Sequence, residues 1–116
     1  MAQTLKDRIQ DDLTEAIRAQ DATTTATLRL VLTAITKQET AGDTHVELDD
    51  DQVIGVIGSE VKRRVEAAAT YEQAGRPERA EAERAEQAVL ERYLPAAMGD
   101  DELAAVVAEE VAAARA

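Results

Sequence analysis

Gly75 and Pro77 divide a long charged and alanine-rich stretch of the chain into two segments that each have a helical pattern. Glycine adopts the left-handed backbone conformation that ends many helices, and proline fits the first turn of a helix, where its missing N–H leaves no bond unmade. Upstream of Gly75, one apolar stripe has helical spacing and is made of Ile54, Ile57, Val61, Val65 and Ala68. The sequence therefore predicts a helical hairpin, with one helix ending near Ala74 and the next running from Pro77 to about Tyr93.

Two further helices are predicted before this hairpin. Thr4 has the hydroxyl of an N-cap, and the apolar side of the helix that follows it is formed by Leu5, Ile9, Leu13 and Ile17. Asp21 is the predicted N-cap of a second helix that ends near Ala41, and its buried stripe comprises Leu28, Val31, Leu32 and Ile35. The first turn of that second helix is expected to fray, because threonine loses rotamer freedom in a helix and the turn is rich in it (Thr23, Thr24, Thr25 and Thr27).

A loop over residues 42–48 is predicted to join the second and third helices. Asp49 and Gln52 then have the spacing of a capping box that starts the third helix. In the fourth helix, helical spacing predicts a buried side made of Ala82, Ala85, Val89 and Tyr93. The fold class is therefore predicted as all-α, with an antiparallel body of four helices over residues 1–95 and a short C-terminal tail helix within residues 96–116.

The composition limits the size of the core and the kinds of site that the chain can form. A length of 116 residues corresponds to one domain, and because Phe and Trp are absent, Leu, Ile and Val must supply most of the buried surface. Cys is absent too, which excludes disulfides, thiolate nucleophiles and zinc sites built on sulfur. The charged N-terminus does not resemble a signal peptide, and no apolar stretch approaches the length of a membrane span. We therefore expect a soluble cytoplasmic protein that does not bind membranes.

The formal net charge of −11 argues against tight non-specific binding to nucleic acid, since contact with phosphate depends on cationic side chains. The negative charge is unevenly distributed. Residues 62–95 contain seven basic and seven acidic side chains, so the predicted hairpin is neutral and the rest of the chain carries the whole excess. We expect an anionic partner to meet this hairpin first.

The only basic triplet, Lys62, Arg63 and Arg64, lies on the third helix. One interpretation is structural, because Lys62 and Arg63 stand four and three residues before Glu66 and can pair with it. The other is a contact with a small anion or an RNA phosphate, joined by Arg29 and Arg76. Tyr71 and Tyr93, the only aromatic residues, are candidates for stacking on bases, or alternatively for core packing with the hydroxyl at the surface.

No catalytic residue, metal site or cofactor is predicted. His45 lies on a polar loop without a second histidine, which favours an exposed side chain over a metal ligand. The acidic run Asp49, Asp50 and Asp51 is explained by helix capping, and the spacing of an EF-hand is absent. Gly55 and Gly58 lie inside a helical pattern, where close packing or a local bend is a better explanation than a phosphate-binding loop.

Several segments of the chain resemble the YqeY family: TLRLVLTAI (27–35), LDDDQVIGVIGSEVKRR (48–64), TYEQAGR (70–76) and ERYLP (91–95). The fold of that family is related to the C-terminal helical and tail region of GatB, which is one component of the glutamine-dependent tRNA amidotransferase. The resemblance implies an all-α body followed by a tail domain, of which residues 96–116 are expected to be an incomplete start.

Three functions follow from the resemblance and the residues together. The related region of GatB helps to hold tRNA, which implies a non-catalytic adaptor that contacts tRNA or an aminoacyl-tRNA complex. The second is a module for protein interaction or self-association through an apolar helix face. The third is the family-level activity of a carbon–nitrogen ligase with glutamine as amide donor. Because the chain has one serine and no cysteine, it cannot assemble the glutaminase part of that chemistry.

Overall fold

A computed structural model describes residues 3–95 of the chain. This part contains no strand and four helices: α1 (Leu5–Arg18), α2 (Ala22–Glu39), α3 (Asp50–Gln73) and α4 (Pro77–Glu91). The predicted all-α class with a body of four helices is thus confirmed. The predicted tail helix lies outside the described residues, and the domain boundary after residue 95 stays a prediction. None of the four helices is long and apolar enough to cross a membrane.

The helix ends follow the local capping signals. The Thr4 hydroxyl accepts a hydrogen bond from the Asp7 N–H at 3.1 Å. Asp49 and Gln52 form the reciprocal bonds of a capping box at the start of α3. The hairpin is also as predicted, since Gly75 has a φ of 73° and Pro77 is the first residue of α4. These boundaries depend on residues close in sequence, which is why the sequence predicts them well.

The start of α2 differs from the frayed turn that its threonines predict. Asp21 caps the helix by accepting from the Thr24 N–H at 3.0 Å, and its other oxygen accepts from the Thr24 hydroxyl at 2.7 Å. These bonds lower the pKa of Asp21. Thr27 is fully buried, and its hydroxyl donates to the Thr23 carbonyl at 2.8 Å. Thr24 and Thr27 therefore anchor this turn, because both side chains are buried and both hydroxyls have partners.

The core lies where all four helices meet, and α3 and α4 form the most extensive helix pair. Its members are almost all aliphatic, as the absence of Phe and Trp requires: Ile9, Leu28, Val31, Ile35, Val53, Val56, Ile57, Val61, Val89, Leu90 and Tyr93. Burial of such side chains contributes roughly 25 cal/mol per Å² of apolar surface removed from water. The predicted stripe of α2 is confirmed at three positions, and its fourth member, Leu32, is partly buried against the cluster.

The prediction that Ile17 of α1 and Val65 of α3 belong to the core is wrong, because 49% and 47% of their surface is exposed. A spacing of four residues predicts both in the core. Four residues advance 400° around a helix, so the eight-residue step from Ile9 to Ile17 drifts by about 80°, whereas the seven-residue step to Ala16 drifts by only about 20°. Ala16 is the residue that is buried. The same geometry turns Val65 outward and places Arg64 in line with Ile57.

The predicted buried side of α4 is correct at Val89 and Tyr93 and wrong at Ala82 and Ala85, which are exposed. Ala80 and Leu90 are buried in their place. The half-buried carboxylate of Glu86 bonds to α3, so a charged residue occupies a position at the helix interface. A search for apolar side chains cannot find such a position.

A buried carboxylate, that of Glu39, organises the loop between α2 and α3. One of its oxygens accepts from the Lys6 ammonium at 2.9 Å, and the other accepts from the Leu48 N–H at 3.1 Å. The Glu39 backbone carbonyl also accepts from the Val46 N–H at 2.9 Å. The hydrogen bond to Glu39 raises the pKa of Lys6. Glu39 thus connects the end of α2 to α1 and to the loop between α2 and α3.

Tyr93 joins the end of α4 to α1. Its side chain is buried, its hydroxyl donates to Asp12 at 2.6 Å, and the Arg8 guanidinium lies 5.0 Å from the centre of its ring. Burial, followed by the hydrogen bond to Asp12, raises the pKa of Tyr93 well above its ordinary value. The phenol is therefore neutral in the folded protein over the usual range of pH.

We expect the free energy of unfolding to decrease less at high pH in the Tyr93→Phe variant than in the wild type. The raised pKa means that the unfolded chain releases this proton first as the pH rises. The contribution of Tyr93 to stability is thus fully present below about pH 10 and falls above it by up to about 1.4 kcal/mol per pH unit. Urea unfolding from about pH 8 to about pH 11 measures the difference.

Tyr71→Phe is the matched control, because it removes a phenol that is less buried and lies elsewhere on the hairpin. Lys6, whose pKa is also raised, contributes equally to both variants. Equal alkaline slopes for Tyr93→Phe and the wild type would contradict the buried bond to Asp12.

Candidate functional site

The structure divides the basic triplet between the interior and the surface. Only 7% of the Arg64 side chain is exposed, against 74% for Arg63. One terminal nitrogen of Arg64 donates to the Glu60 carboxylate and to the Glu60 carbonyl, both at 3.1 Å, while its Nε donates to Glu86 at 3.3 Å. Arg64 therefore joins α3 to α4 and is not available to an external anion. Lys62 and Arg63 remain on the exposed side of α3.

The pairing of Lys62 and Arg63 with Glu66 is not found in residues 3–95. Arg63 instead contacts Glu60, one turn earlier, at 3.5 Å. Glu60 is already held by Arg64, so its carboxylate is fixed where Arg63 can reach it. Because most of the Arg63 side chain is in solvent, this second contact is weak and leaves the guanidinium able to bind another anion.

Arg63 lies on an open groove between α2 and α3 with a volume of about 310 Å³. Lys37 of α2 lines the same groove, so two cations from different helices converge there. The complete lining is Leu30, Thr33, Ala34, Lys37, Gln38, Val56, Ser59, Glu60 and Arg63. We call this surface the α2–α3 groove. Gln38 and Ser59 add neutral donors beside the cations, whereas the Thr33 hydroxyl already donates to the Arg29 carbonyl. The single carboxylate among the lining residues, Glu60, already bonds to Arg64.

Two other candidate cations, Arg29 and Arg76, do not line the groove. Arg29 is exposed on α2 but precedes Lys37 by eight residues, which corresponds to about 12 Å along the helix axis. Arg76 is the N-cap residue of α4 at the hairpin turn. It is separated from Arg63 by the last ten residues of α3, about 15 Å of helix. The structure thus brings Arg63 together with Lys37 and does not bring it together with Arg76.

The two tyrosines have different surroundings. Tyr93 is buried under Arg8, and its hydroxyl bonds to the partly buried Asp12, so its ring is not open to a base. This agrees with the interpretation of Tyr93 as a core residue. Tyr71 is partly exposed, and the Arg79 guanidinium lies 5.4 Å from its ring centre. Tyr71 therefore remains the candidate for stacking, with Arg79 covering part of the ring.

His45 is exposed, as the sequence predicts, but the sequence does not predict its surroundings. Glu39, His45 and Glu47 offer ligand atoms within 4.8 Å of one another. His45 contacts Glu47 at 3.1 Å, and this contact lowers the pKa of Glu47. The Lys6 ammonium lies at 2.9 Å from Glu39 and 3.5 Å from Glu47, so a cation of the protein itself already pairs with both carboxylates of the cluster. We therefore assign no metal to it.

Lys37 is the residue of the groove that sequence reasoning missed. Its signal is a second stripe on α2, in which Leu30, Ala34 and Lys37 recur at intervals of four and three residues beside the buried stripe. That spacing shows that Lys37 shares a face of α2 with Leu30 and Ala34, but it does not show which helix lies beside that face. The convergence of Lys37 with Arg63 depends on how α2 packs against α3, which the local pattern does not contain.

A family model described as Yqey-like protein matches residues 6–116 of the chain, which include nearly all of the four helices. No curated protein matches the chain.

We expect Arg64→Ala and Arg63→Ala to differ sharply in stability. Removing Arg64 leaves buried carboxylate oxygens without their main partner and should lower the free energy of unfolding by about 3 kcal/mol. Removing the exposed Arg63 should cost less than about 1 kcal/mol. Urea unfolding at neutral pH measures both. Equal losses of unfolding free energy in the two variants would contradict the division of the triplet into a buried and an exposed arginine. If Arg64→Ala is destabilised as expected, a variant in which Lys62, Arg63 and Arg64 are all replaced is unsuitable for binding experiments, because it loses stability as well as charge.

Proposed function

This chain belongs to the Yqey-like protein family, and on that premise we propose that it is a non-catalytic helical adaptor that contacts tRNA through its phosphate backbone. The observation that carries the proposal is the convergence of Arg63 and Lys37 on the α2–α3 groove. The choice of tRNA is supported by the resemblance to the helical and tail region of GatB, which helps to hold tRNA.

The donors at the groove suit a phosphate group. The guanidinium of Arg63 offers a planar pair of N–H donors, and the ammonium of Lys37 offers a compact charge on a long flexible stem. The Ser59 hydroxyl and the Gln38 amide lie on the same lining and can donate to the remaining oxygens. Contacts of this kind hold the nucleic-acid backbone in place and do not read its sequence.

The overall charge of the chain sets the strength of this contact. With a formal net charge of −11, the protein repels a polyanion at long range. Lys62, which adjoins Arg63 in the sequence, and Arg29 add exposed positive charge on the two helices that form the groove. We therefore propose weak, salt-dependent binding that depends on a few cations.

The residues present supply positioning and not amide-transfer chemistry. Ser59 is the only serine of the chain and lines the groove with Lys37, but an amidase-type glutaminase uses paired serines with a lysine. A cysteine-type glutaminase is excluded because the chain has no cysteine. We accordingly assign the carbon–nitrogen ligase activity associated with the family to other proteins that such an adaptor would serve.

Protein interaction or self-association is the second candidate function. It is favoured by the exposure of Ile17 and Val65, two large apolar side chains that are about half exposed on α1 and α3. Single apolar residues are common on protein surfaces, however, and two of them on separate helices support this function less than converging cations support the first.

We expect the Lys37→Ala/Arg63→Ala variant to bind tRNA more weakly than the wild type and with a smaller dependence on salt. Each phosphate contact that is lost should reduce the slope of log affinity against log salt by about 1, so the double variant should lose about 2. Fluorescence anisotropy of labelled total tRNA, between about 50 and 200 mM salt, measures both quantities.

Arg18→Ala is the matched control, because Arg18 is exposed and contacts a glutamate three residues earlier, as Arg63 does. It should reduce binding little. No binding of the wild type at the lowest salt, or equal losses in the control and the double variant, would contradict the proposed contact with tRNA.

A further inference from the structure

Two arginine–tyrosine pairs are found among the described residues, and their surroundings differ. Arg8 covers the ring of Tyr93, which is buried and whose hydroxyl donates to Asp12. Arg79 lies 5.4 Å from the ring centre of Tyr71, which is only partly buried. No hydrogen bond of the Tyr71 hydroxyl is found in the part of the chain that the structure describes. The first pair thus belongs to the core, whereas the second leaves part of an aromatic ring in solvent.

We propose that the Tyr71–Arg79 pair is a second contact with RNA, at which an unpaired base stacks on the Tyr71 ring beside the Arg79 guanidinium. The proposal rests on the function proposed above, and it adds a contact with a base to a contact with phosphate. Unpaired bases of RNA stack on tyrosine rings and on the planar guanidinium groups of arginine. Both kinds of group are adjacent here, and neither is fully buried.

The turn of the hairpin positions this pair. Tyr71 lies in the last turn of α3 and Arg79 in the first turn of α4, on either side of the left-handed Gly75 and of Pro77. The Arg76 N–H donates to the Tyr71 carbonyl at 2.8 Å, which fixes the backbone that carries the ring. Because the ring is held by two helices and a tight turn, its position does not depend on a ligand.

The charges at the tip of the hairpin suit a strand that carries phosphates beside the base. Arg76 and Arg79 are exposed, and neither forms an ion pair within the described part of the chain. Arg84, by contrast, contacts Glu72 at 2.8 Å and Glu81 at 3.0 Å, so these two carboxylates are already paired. The guanidinium groups of Arg76 and Arg79 therefore remain able to meet the phosphates next to a stacked base.

The distance between the pair and the α2–α3 groove suits a single strand. Tyr71 follows Arg63 by eight residues on α3, which corresponds to about 12 Å along the helix axis and about 80° around it. Successive phosphates of one stacked strand are about 3.4 Å apart along its axis, so about three or four nucleotides cover that distance. A strand with one phosphate on Arg63 can thus place a base on Tyr71.

Tyrosine fluorescence tests the proposal, because the chain has two tyrosines and no tryptophan. In a Tyr93→Phe variant, shown by circular dichroism to be folded, the emission comes from Tyr71 alone. We expect saturation with a short single-stranded oligoadenylate at low salt to quench this emission, since the base stacks on the ring. An abasic oligomer of the same length keeps the phosphates and should not quench it. Equal quenching by the two oligomers, or bound oligoadenylate without quenching, would overturn the proposal.

Two substitutions of Tyr71 separate stacking from a merely structural role. Tyr71→Leu should weaken the binding of labelled oligoadenylate about 5- to 150-fold, the loss expected for one stacked base. The slope of log affinity against log salt should stay the same, because stacking releases no counterions. Tyr71→Phe keeps the ring and should keep the affinity. Circular dichroism checks that both variants are folded, and equal affinities of the two would overturn the proposal.

The Lys37→Ala/Arg63→Ala variant distinguishes this contact from that of the groove. In the Tyr93→Phe background it should bind oligoadenylate more weakly and with a smaller salt slope, yet reach the same quenching at saturation. An unchanged affinity with normal quenching would contradict the groove contact and support stacking. Normal binding by the groove residues with no quenching of Tyr71 would do the reverse. No binding of oligoadenylate by the wild type at low salt would overturn both.

Discussion

The hairpin of α3 and α4 depends on the buried guanidinium of Arg64. A charge out of water is stable only when its donors are bonded, and Arg64 meets this condition through Glu60 on its own helix and Glu86 on the next. The same contact determines which of the neighbouring cations face solvent. With Arg64 turned inward, Arg63 lies on the α2–α3 groove, where Lys37 joins it. One helix thus carries a structural arginine and a surface arginine at consecutive positions.

Other buried polar contacts also join the helices to one another. The core is aliphatic, and Tyr93 is its only aromatic member among the described residues. Glu39 joins α2 to Lys6 of α1 and to the loop before α3, while Tyr93 joins the end of α4 to Asp12. The contacts to Lys6 and Asp12 link elements that are distant in sequence. The body is therefore held by aliphatic packing together with a few well-bonded polar groups.

The sequence predicts the parts of this structure that local chemistry determines. The caps at Thr4, Asp21 and Asp49, the left-handed Gly75 and the start of α4 at Pro77 all depend on neighbouring residues. Prediction fails where the buried face of a helix is extended by repeated four-residue spacing. That spacing rotates gradually around the helix, so it selects Val65 as buried although Arg64 occupies the buried position. Prediction also fails where a partner comes from another helix. The stripe that contains Lys37 is visible in the sequence, but the pairing of Glu86 with Arg64 and the shared groove of Lys37 and Arg63 depend on how the helices pack.

Arg64 is bonded inside the hairpin, and we propose that the neighbouring Arg63, whose side chain is mostly in solvent, meets an anion. NMR of the arginine Nε–H groups in ¹⁵N-labelled protein tests it most directly, because both residues are observed in one sample. We expect slow exchange with solvent for the Arg64 Nε–H and fast exchange for that of Arg63. Addition of tRNA should shift the Arg63 signal and leave that of Arg64 unchanged. Fast exchange at Arg64, or equal shifts of both signals with tRNA, would contradict it.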